Sequence, residues 1–378
     1  MVIDRRSLLL GAAAGALAGM PARAGGGTLA RAGGATPALY AAARKGADGG
    51  YSVAVFTADG RDVRALALPG RGHDVTVSPL DRTCVAFARR PGNFAIAFSA
   101  DDRRPPITFT TPPDRHFYGH GVFSRDGRLL YTTENDFDDA RGVIGIYDVT
   151  AGYRRIGEFP SGGVGPHDLA LLEGGSVLVV ANGGLREHPD IGGGRRILNP
   201  DAIETTLAYI DLRTGALLER HDLGAIGTLS LRHLDVARDG TVIIGAQVVS
   251  GPAGGQPVVY RHRRQQAIAA FALPAEIGDG LSGYVSSIAC DRAGELVAVT
   301  SSRGALVAML DIASGRVVRT RRLDDVSGVA PTPARAGFLM TSGLGQVSIV
   351  PGGSADQPVS TPWAWDNHAV LVAGDPIE

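Results

Sequence analysis

The chain has 378 residues, with 37 lysines and arginines against 38 aspartates and glutamates, so its formal net charge is −1. This balance excludes a sequence-independent attraction to nucleic acid or to an anionic membrane. Hydrophobic residues make up 44% of the chain, enough for a large core, and the 53 glycines and 22 prolines are typical of many tight turns. The sequence has no C-x-x-C-H motif, which excludes covalently attached c-type haem.

The first residues are typical of an export signal. Arg5 and Arg6 precede an apolar run, and Ala22-Arg23-Ala24 offers a small-residue cleavage site. The run is short and rich in glycine and alanine, which favours a twin-arginine (Tat) signal over a spanning helix; an ordinary Sec signal is the alternative. We predict a signal peptide over residues 1–24, a flexible leader over 25–37, and a periplasmic protein with no membrane span after cleavage.

Residues 38–378 are predicted to form one all-β domain. The stretch 119–160, GHGVFSRDGRLLYTTENDFDDARGVIGIYDVTAGYRRIGEFP, has the pattern of four short strands with turns between them, including Asp126-Gly127 and Ala151-Gly152. This pattern occurs six times between about residue 72 and residue 365. Residues 39–70 supply strands two to four of a further repeat, and 367–372 supply its first strand. The sequence therefore predicts a seven-bladed β-propeller of four-stranded antiparallel blades, closed by a blade that both termini share.

The histidines recur at one position of the repeat. Five of the nine lie near the start of a first strand, the innermost strand of a propeller blade: His73, His120, His167, His233 and His368. We therefore expect five imidazoles around one end of the central channel. The other two blades carry Tyr284 and Ser327 near that position.

The loops between second and third strands should lie on the same face as the histidines. Three of them are unusually long or polar, and functional residues concentrate on loops that a rigid scaffold holds. Together with the residue before His233 and the segment before the last strand, they supply these candidate ligand-binding residues: Glu134, Asn135, Asn182, Arg186, His188, Arg232, Gln247, Trp365 and Asn367.

The histidine ring has three interpretations. It could bind a transition metal, iron, copper or zinc, with Glu134, Asp136 or His188 as further ligands. It could bind a polar or anionic ligand, with Arg186 or Arg232 as a hydrogen-bond donor. It could also be structural, since a histidine at a loop-to-strand corner can cap that corner in every repeat. No compact ligand spacing such as H-E-x-x-H favours the metal.

Sequence evidence for catalysis is weak, because the chain has no G-x-S-x-G nucleophile elbow. We therefore favour a binding or scaffold protein. The alternative is a metal-dependent hydrolase or oxidoreductase on the same face, with Glu134 or Asp136 as general base. Cys84 and Cys290 fall in distant blades and are interpreted as buried small hydrophobes, with no disulfide between them.

Several segments resemble a family of Tat-exported bacterial β-propellers without an assigned function. They are the stretch from Gly119 to Asp148, VVANGGLREHPD, LRHLDVARDGT, GYVSSIACD and WDNHAV. Members of that family are often encoded beside imelysin-type iron-uptake proteins and a dihaem thiol-oxidoreductase-like protein. The resemblance implies a periplasmic role in iron acquisition, with periplasmic iron-uptake proteins as partners. It implies no catalytic residues.

Overall fold

A computed structural model describes residues 37–194, 196–223, 228–350 and 358–374. These residues form seven antiparallel sheets, which confirms the seven-bladed β-propeller. The predicted signal peptide lies outside the described residues, and so does the leader except for Pro37. None of the described helices is long and apolar enough to cross a membrane.

The chain begins with three consecutive strands of one blade. They are β1 (Leu39–Lys45), β2 (Tyr51–Thr57) and β3 (Asp62–Leu68). β1 pairs with β2 along its whole length, and β2 pairs with β3, so β3 forms the outer edge of the blade. The innermost position of this sheet is left for the other end of the chain.

Six complete blades follow, each with four strands in chain order from the channel outward. Blades one to three consist of β4 (Gly72–Val77), β5 (Thr83–Ala88), β6 (Phe94–Ser99) and β7 (Ile107–Thr110); β8 (Arg115–Phe123), β9 (Leu129–Asp136), β10 (Arg141–Asp148) and β11 (Arg154–Pro160); and β12 (Pro166–Leu172), β13 (Val177–Asn182), β14 (Thr206–Asp211) and β15 (Leu217–Asp222). Blades four to six consist of β16 (Leu229–Val236), β17 (Val242–Val248), β18 (Val259–His262) and β19 (Ala269–Ala270); β20 (Ser287–Cys290), β21 (Leu296–Ser301), β22 (Leu306–Asp311) and β23 (Val317–Arg322); and β24 (Val326–Pro331), β25 (Phe338–Ser342), β26 (Gln346–Val350) and β27 (Val359–Ser360). One short helix, α1 (Ala275–Gly280), precedes blade five.

The C-terminal segment completes the seventh blade, as predicted. β28 (Ala364–Trp365) and β29 (Val370–Ala373) both pair with β1, β28 at Arg44 and Lys45 and β29 from Leu39 to Ala41. The inner strand is therefore interrupted between its two short pieces. His368 lies in this interruption, with a left-handed φ of 75°.

Aspartates hold the turns between the third and fourth strands of three blades. In the segments DVTAG, DLRTG and DIASG, one carboxylate oxygen accepts hydrogen bonds from the backbone and from a hydroxyl three residues or fewer further on. The hydroxyl bond is the main reason that the pKa values of Asp148, Asp211 and Asp311 lie below the usual carboxyl value. The following glycine has a positive φ, for example 70° at Gly152.

The core lies between neighbouring blades. Between blades one and two, Phe87 and Phe117 pack edge to face with ring centroids 5.7 Å apart, and Phe109 stacks on Tyr153 at 4.8 Å. Cys84 and Cys290 are buried free thiols, which confirms the sequence interpretation. Burial raises the pKa of the Cys84 thiol to about 12.

Candidate metal site

Four of the five histidines lie where the first strand of a blade bulges. The pairing of β4 with β5 shifts between Gly72 and Val75, on either side of His73. Corresponding shifts surround His120, His167 and His233 in the next three blades. A bulge adds a residue to one strand and re-aims its side chain, so these irregularities turn the imidazoles into the channel.

Gly119 allows blades one and two to pack closely against each other. Its φ is 107°, in the region that favours glycine, and a Cβ atom at this position would lie 2.5 Å from Cδ2 of His73. No side chain fits there without moving the histidine. The glycine before His120 is therefore a packing requirement of the site.

The five imidazoles converge, as predicted. The ring centroid of His120 lies 4.9 Å from that of His73 and 4.7 Å from that of His368. On the other side, His167 and His233 are 4.8 Å apart, and His233 and His368 are 4.6 Å apart. All five are buried, with at most 7% of any residue exposed.

Many nitrogen atoms of the five imidazoles lack a hydrogen-bond partner in the described part of the chain. Among the described residues, the following buried imidazole nitrogens have no hydrogen-bond partner: His73 Nδ1, His120 Nε2, His167 Nδ1, both nitrogens of His233, and His368 Nε2. Buried polar atoms are normally satisfied, so such a cluster needs an explanation. A structural role as loop caps, the third interpretation above, would have tied these nitrogens to the backbone.

Two overlapping triads have ligand atoms within 4.8 Å of one another: His73, His120 and His368, and His120, His167 and His233. A tetrahedral metal with bonds of 2.0–2.1 Å to nitrogen holds its ligands roughly 3.4 Å apart. The rings would therefore move together by a small amount on binding. His120 belongs to both triads and is therefore the central residue of the cluster.

Two carboxylates orient His120. Its Nδ1 lies 3.2 Å from Asp74 Oδ2 and 3.2 Å from Asp168 Oδ1, which leaves Nε2 to face the cluster. Burial alone lowers the pKa of His120, but the two carboxylates outweigh it and raise the pKa to about 10. A carboxylate behind an imidazole fixes the ring and makes it a better ligand, the arrangement found around protein-bound zinc.

The other four histidines are held in the neutral form. Burial, followed by the charges of neighbouring histidines, keeps the pKa values of His73, His167 and His233 well below the usual imidazole value. Burial also lowers the pKa of His368 to about 4. Neutral imidazole is the form that binds metals, so these four rings need lose no proton, whereas His120, with its raised pKa, would release its Nε2 proton when a metal binds.

The two remaining blades place serines beside the ring. Thr133 Oγ1 contacts the carbonyls of His120 and His167, and Thr300 Oγ1 makes the equivalent contacts to Ser287 and Ser327. The position of the histidine in blade five is therefore that of Ser287, three residues beyond the sequence-based assignment to Tyr284. The extra residues of the loop before β20 explain the difference. Ser287 Oγ lies 3.2 Å from Nδ1 of His368.

The side chains of Glu134 and Asn135 form hydrogen bonds to other residues of blade two and, for Asn135, to the insertion of blade three. The buried Glu134 carboxylate accepts hydrogen bonds from Thr132, Tyr147 and Arg155 at 3.0, 2.7 and 2.9 Å. The Asn135 amide contacts His116 Nε2 and the carbonyl of Glu187. Asp136, the other proposed general base, pairs with Arg141 and Arg115.

Three more of the predicted residues lie at the end of β13 and in the long insertion that follows it. Asn182 is fully buried and bonds both the hydroxyl and the carbonyl of Ser161, so it joins blades two and three. Arg186 is exposed. His188 packs edge to face on Phe137, with centroids 5.0 Å apart.

Of the two C-terminal candidates, Trp365 lies in the core and Asn367 lines a cavity. Trp365 is buried against Phe56 with ring centroids 4.5 Å apart, and its Nε1 donates to Thr361. Asn367 lines a cavity of about 200 Å³ together with Gln247 and Arg232. Burial lowers the pKa of Arg232 to about 10.

Three of the histidines border this cavity. His73, His167 and His233 form part of its wall. It shares Arg90, Arg232, Gln247 and Arg303 with a neighbouring cavity of about 410 Å³. A metal at the histidines would thus face a space that can hold a second ligand.

The family assignment comes from a match over residues 66–372 to a family model described as "Protein of unknown function (DUF1513)". The chain belongs to this family. Among curated proteins none matches the chain. The match begins within β3 and ends within β29, so it leaves out β1, β2 and the start of β3, and it includes all five histidines of the cluster.

Two solved structures illustrate the fold of this DUF1513 member. A chain of hydrazine synthase from Kuenenia stuttgartiensis is 13% identical, with a TM-score of 0.60 over 88% of this chain and 99% of that chain. The β-propeller domain of Cps50 (Swd1) from Myceliophteria thermophila is 12% identical, with a TM-score of 0.57 over 82% and 96%. At such identities the likeness shows the propeller fold alone.

Sequence reasoning did not predict the carboxylates and arginines that surround the histidine cluster. The His-Asp pairs at His73-Asp74 and His167-Asp168 were a visible signal, because a carboxylate next to each histidine in two flanking blades can reach the ring of His120 between them. Arg89 and Arg90 lie in one loop of blade one and Arg303 in a loop of blade five, and no local pattern in the sequence brings the two loops together.

Proposed function

We propose that this protein binds one transition-metal ion at the histidine cluster of its channel. The observation that supports this most strongly is the convergence of five buried imidazoles with six nitrogens that lack a partner in the described chain. His120 would bind through Nε2, oriented by Asp74 and Asp168. Neighbouring rings would complete the coordination.

The donor set favours certain metals. Neutral imidazole suits ferrous iron, cupric copper and zinc, whereas magnesium and calcium prefer oxygen ligands. The carboxylates of Asp74 and Asp168 lie behind the imidazole of His120. We therefore propose a divalent first-row metal, and ferrous iron in particular, because the chain resembles exported propellers encoded near iron-uptake proteins.

Metal titration of untagged, EDTA-treated protein tests the site. We expect wild type to bind one zinc, copper or, without oxygen, ferrous ion per chain. His120→Gln should weaken binding by about a hundredfold or more, since it removes the ligand common to both triads. His221→Ala, on the outer strand of blade three, is the matched control and should bind like wild type. Equal affinities in His120→Gln and wild type would contradict the proposal.

We further propose that the protein works in the periplasm as a binding or scaffold component of iron handling, with iron-uptake proteins as partners. The support is the N-terminal pair Arg5-Arg6 ahead of an apolar run, together with the family resemblance. Replacing both arginines with lysine should retain the unprocessed protein in the cytoplasm, as read by fractionation and N-terminal mass. Export of the lysine variant at the wild-type level would contradict Tat transport.

A metal-dependent enzyme is the second candidate, and the cavity beside His73, His167 and His233 favours it. A hydrolase or an oxidoreductase needs such a space for its substrate next to the metal. Metal-dependent turnover of p-nitrophenyl esters, lost in His120→Gln, would support a hydrolase. Absence of turnover in a protein that binds metal stoichiometrically would favour the binding protein.

A further inference from the structure

The cavity beside the histidines is lined by several positively charged side chains. Four arginines line it, Arg89, Arg90, Arg232 and Arg303, and they come from loops or strands of three blades. Arginine is the side chain best suited to bind carboxylate or phosphate oxygens, because its planar donors match them in pairs.

Two of these arginines have carboxylate partners. Arg89 lies 3.2 Å from Asp366, which also pairs with Arg71, and Arg90 lies 2.9 Å from the buried carboxylate of Glu187. These contacts hold the wall of the cavity in place. The other two arginines, Arg232 and Arg303, have no such counter-charge among the described residues.

Arg232 and Arg303 have no carboxylate within ion-pair distance in the described parts of the chain. Only 4% of Arg232 is exposed, and its Nε atom is buried without a hydrogen-bond partner. Arg303 lies over the ring of Tyr284, 4.2 Å from its centroid. A buried guanidinium without a partner is costly, so an anion in the cavity would stabilise it.

The hydroxyl group of Tyr118 is a further unsatisfied donor in this cavity. Tyr118 lines the same cavity, and its buried Oη has no partner among the described residues. The cavity therefore presents a cation and a neutral donor, both unsatisfied, beside three of the histidines. An oxyanion could accept from both.

We propose that this cavity binds a small oxyanion with carboxylate or phosphate chemistry, held by Arg232, Arg303 and Tyr118. The inference rests on the proposed metal site for one feature: His73, His167 and His233 line the same space, so the anion also contacts the metal and completes its coordination. The cargo of the site is then a metal together with its anionic ligand.

Calorimetric titration with citrate and with inorganic phosphate, on zinc-loaded and on metal-free protein, tests this inference. We expect saturable binding of at least one probe, one per chain, tighter in the zinc-loaded protein. Arg232→Gln should weaken binding about tenfold or more, the loss of one charge-assisted hydrogen bond. The control Arg319→Gln, at an exposed position of β23, should stay within about twofold of wild type.

Arg303→Gln, at an exposed position, provides a second variant if Arg232→Gln fails to fold, and it should weaken binding several-fold. If zinc does not bind but the metal-free protein binds a probe with the same dependence on arginine, the metal proposal fails and the anion site stands. If neither probe binds in a saturable manner to either form, or if both arginine variants bind like wild type, the anion site is overturned.

Discussion

Replacing Glu134 separates a structural role from a metal-binding role for this residue. Its carboxylate is fully buried and accepts three hydrogen bonds, from Thr132, Tyr147 and Arg155. Bonds to a charged acceptor contribute about 1.5–3 kcal/mol each, and bonds between neutral groups about 0.5–1.5 kcal/mol. Glu134→Gln keeps the shape but removes the charge, and Arg155 retains Glu158 at 2.7 Å. We expect the free energy of unfolding to fall by about 2–3 kcal/mol.

Arg155→Ala should be more damaging, by about 3–5 kcal/mol, because it leaves the buried Glu134 carboxylate without its cation. Glu158→Gln removes the second partner of Arg155, which Arg115 also contacts, and serves as the control. Its effect should stay below about 1 kcal/mol, because this carboxylate is partly exposed to solvent and Arg115 keeps Asp136. Urea denaturation measures all three variants, and metal titration should give the wild-type stoichiometry in each that folds. A Glu134→Gln protein with unchanged stability and lost metal binding would refute this reasoning and make Glu134 a ligand.

Three further predictions follow from single side chains. Gly119→Ala should destabilise the protein by about 1–3 kcal/mol in urea and weaken metal binding, because the new Cβ displaces His73; unchanged values for both would show that the blades can separate there. Cys84 and Cys290 should react with Ellman's reagent only after unfolding, since burial raises both thiol pKa values. Burial raises the pKa of Glu219, but its hydrogen bonds outweigh this and lower it to about 2, so its contribution to stability is present above pH about 4.5 and lost toward pH 2. Glu219→Gln should flatten that part of the stability curve measured in urea.

The fold could be predicted because the repeat carries its own signals. Turn pairs such as Asp126-Gly127 and alternating apolar strands recur at a fixed spacing, and the unmatched strand at 367–372 indicated closure. The histidine ring followed from aligning one position across the repeats. These inferences need only local patterns and the symmetry of the propeller.

The chemistry around the ring could not be predicted in the same way. The role of Asp74 and Asp168 depends on contacts between blades, and the sequence places the two residues 94 positions apart. Glu134 and Asp136 are polar residues in a polar segment, and nothing local indicates that arginines of the same blade neutralise them. The displacement from Tyr284 to Ser287 arose because blade five begins with an irregular loop.

The metal content of purified, untagged protein tests the central claim most directly. Mass spectrometry of the digested protein should find about one iron, copper or zinc per chain in wild type and almost none in a variant with His120, His167 and His233 changed to alanine, provided that both are folded by circular dichroism. Wild type without metal, which also fails to take up any of the three ions on titration, would contradict the account.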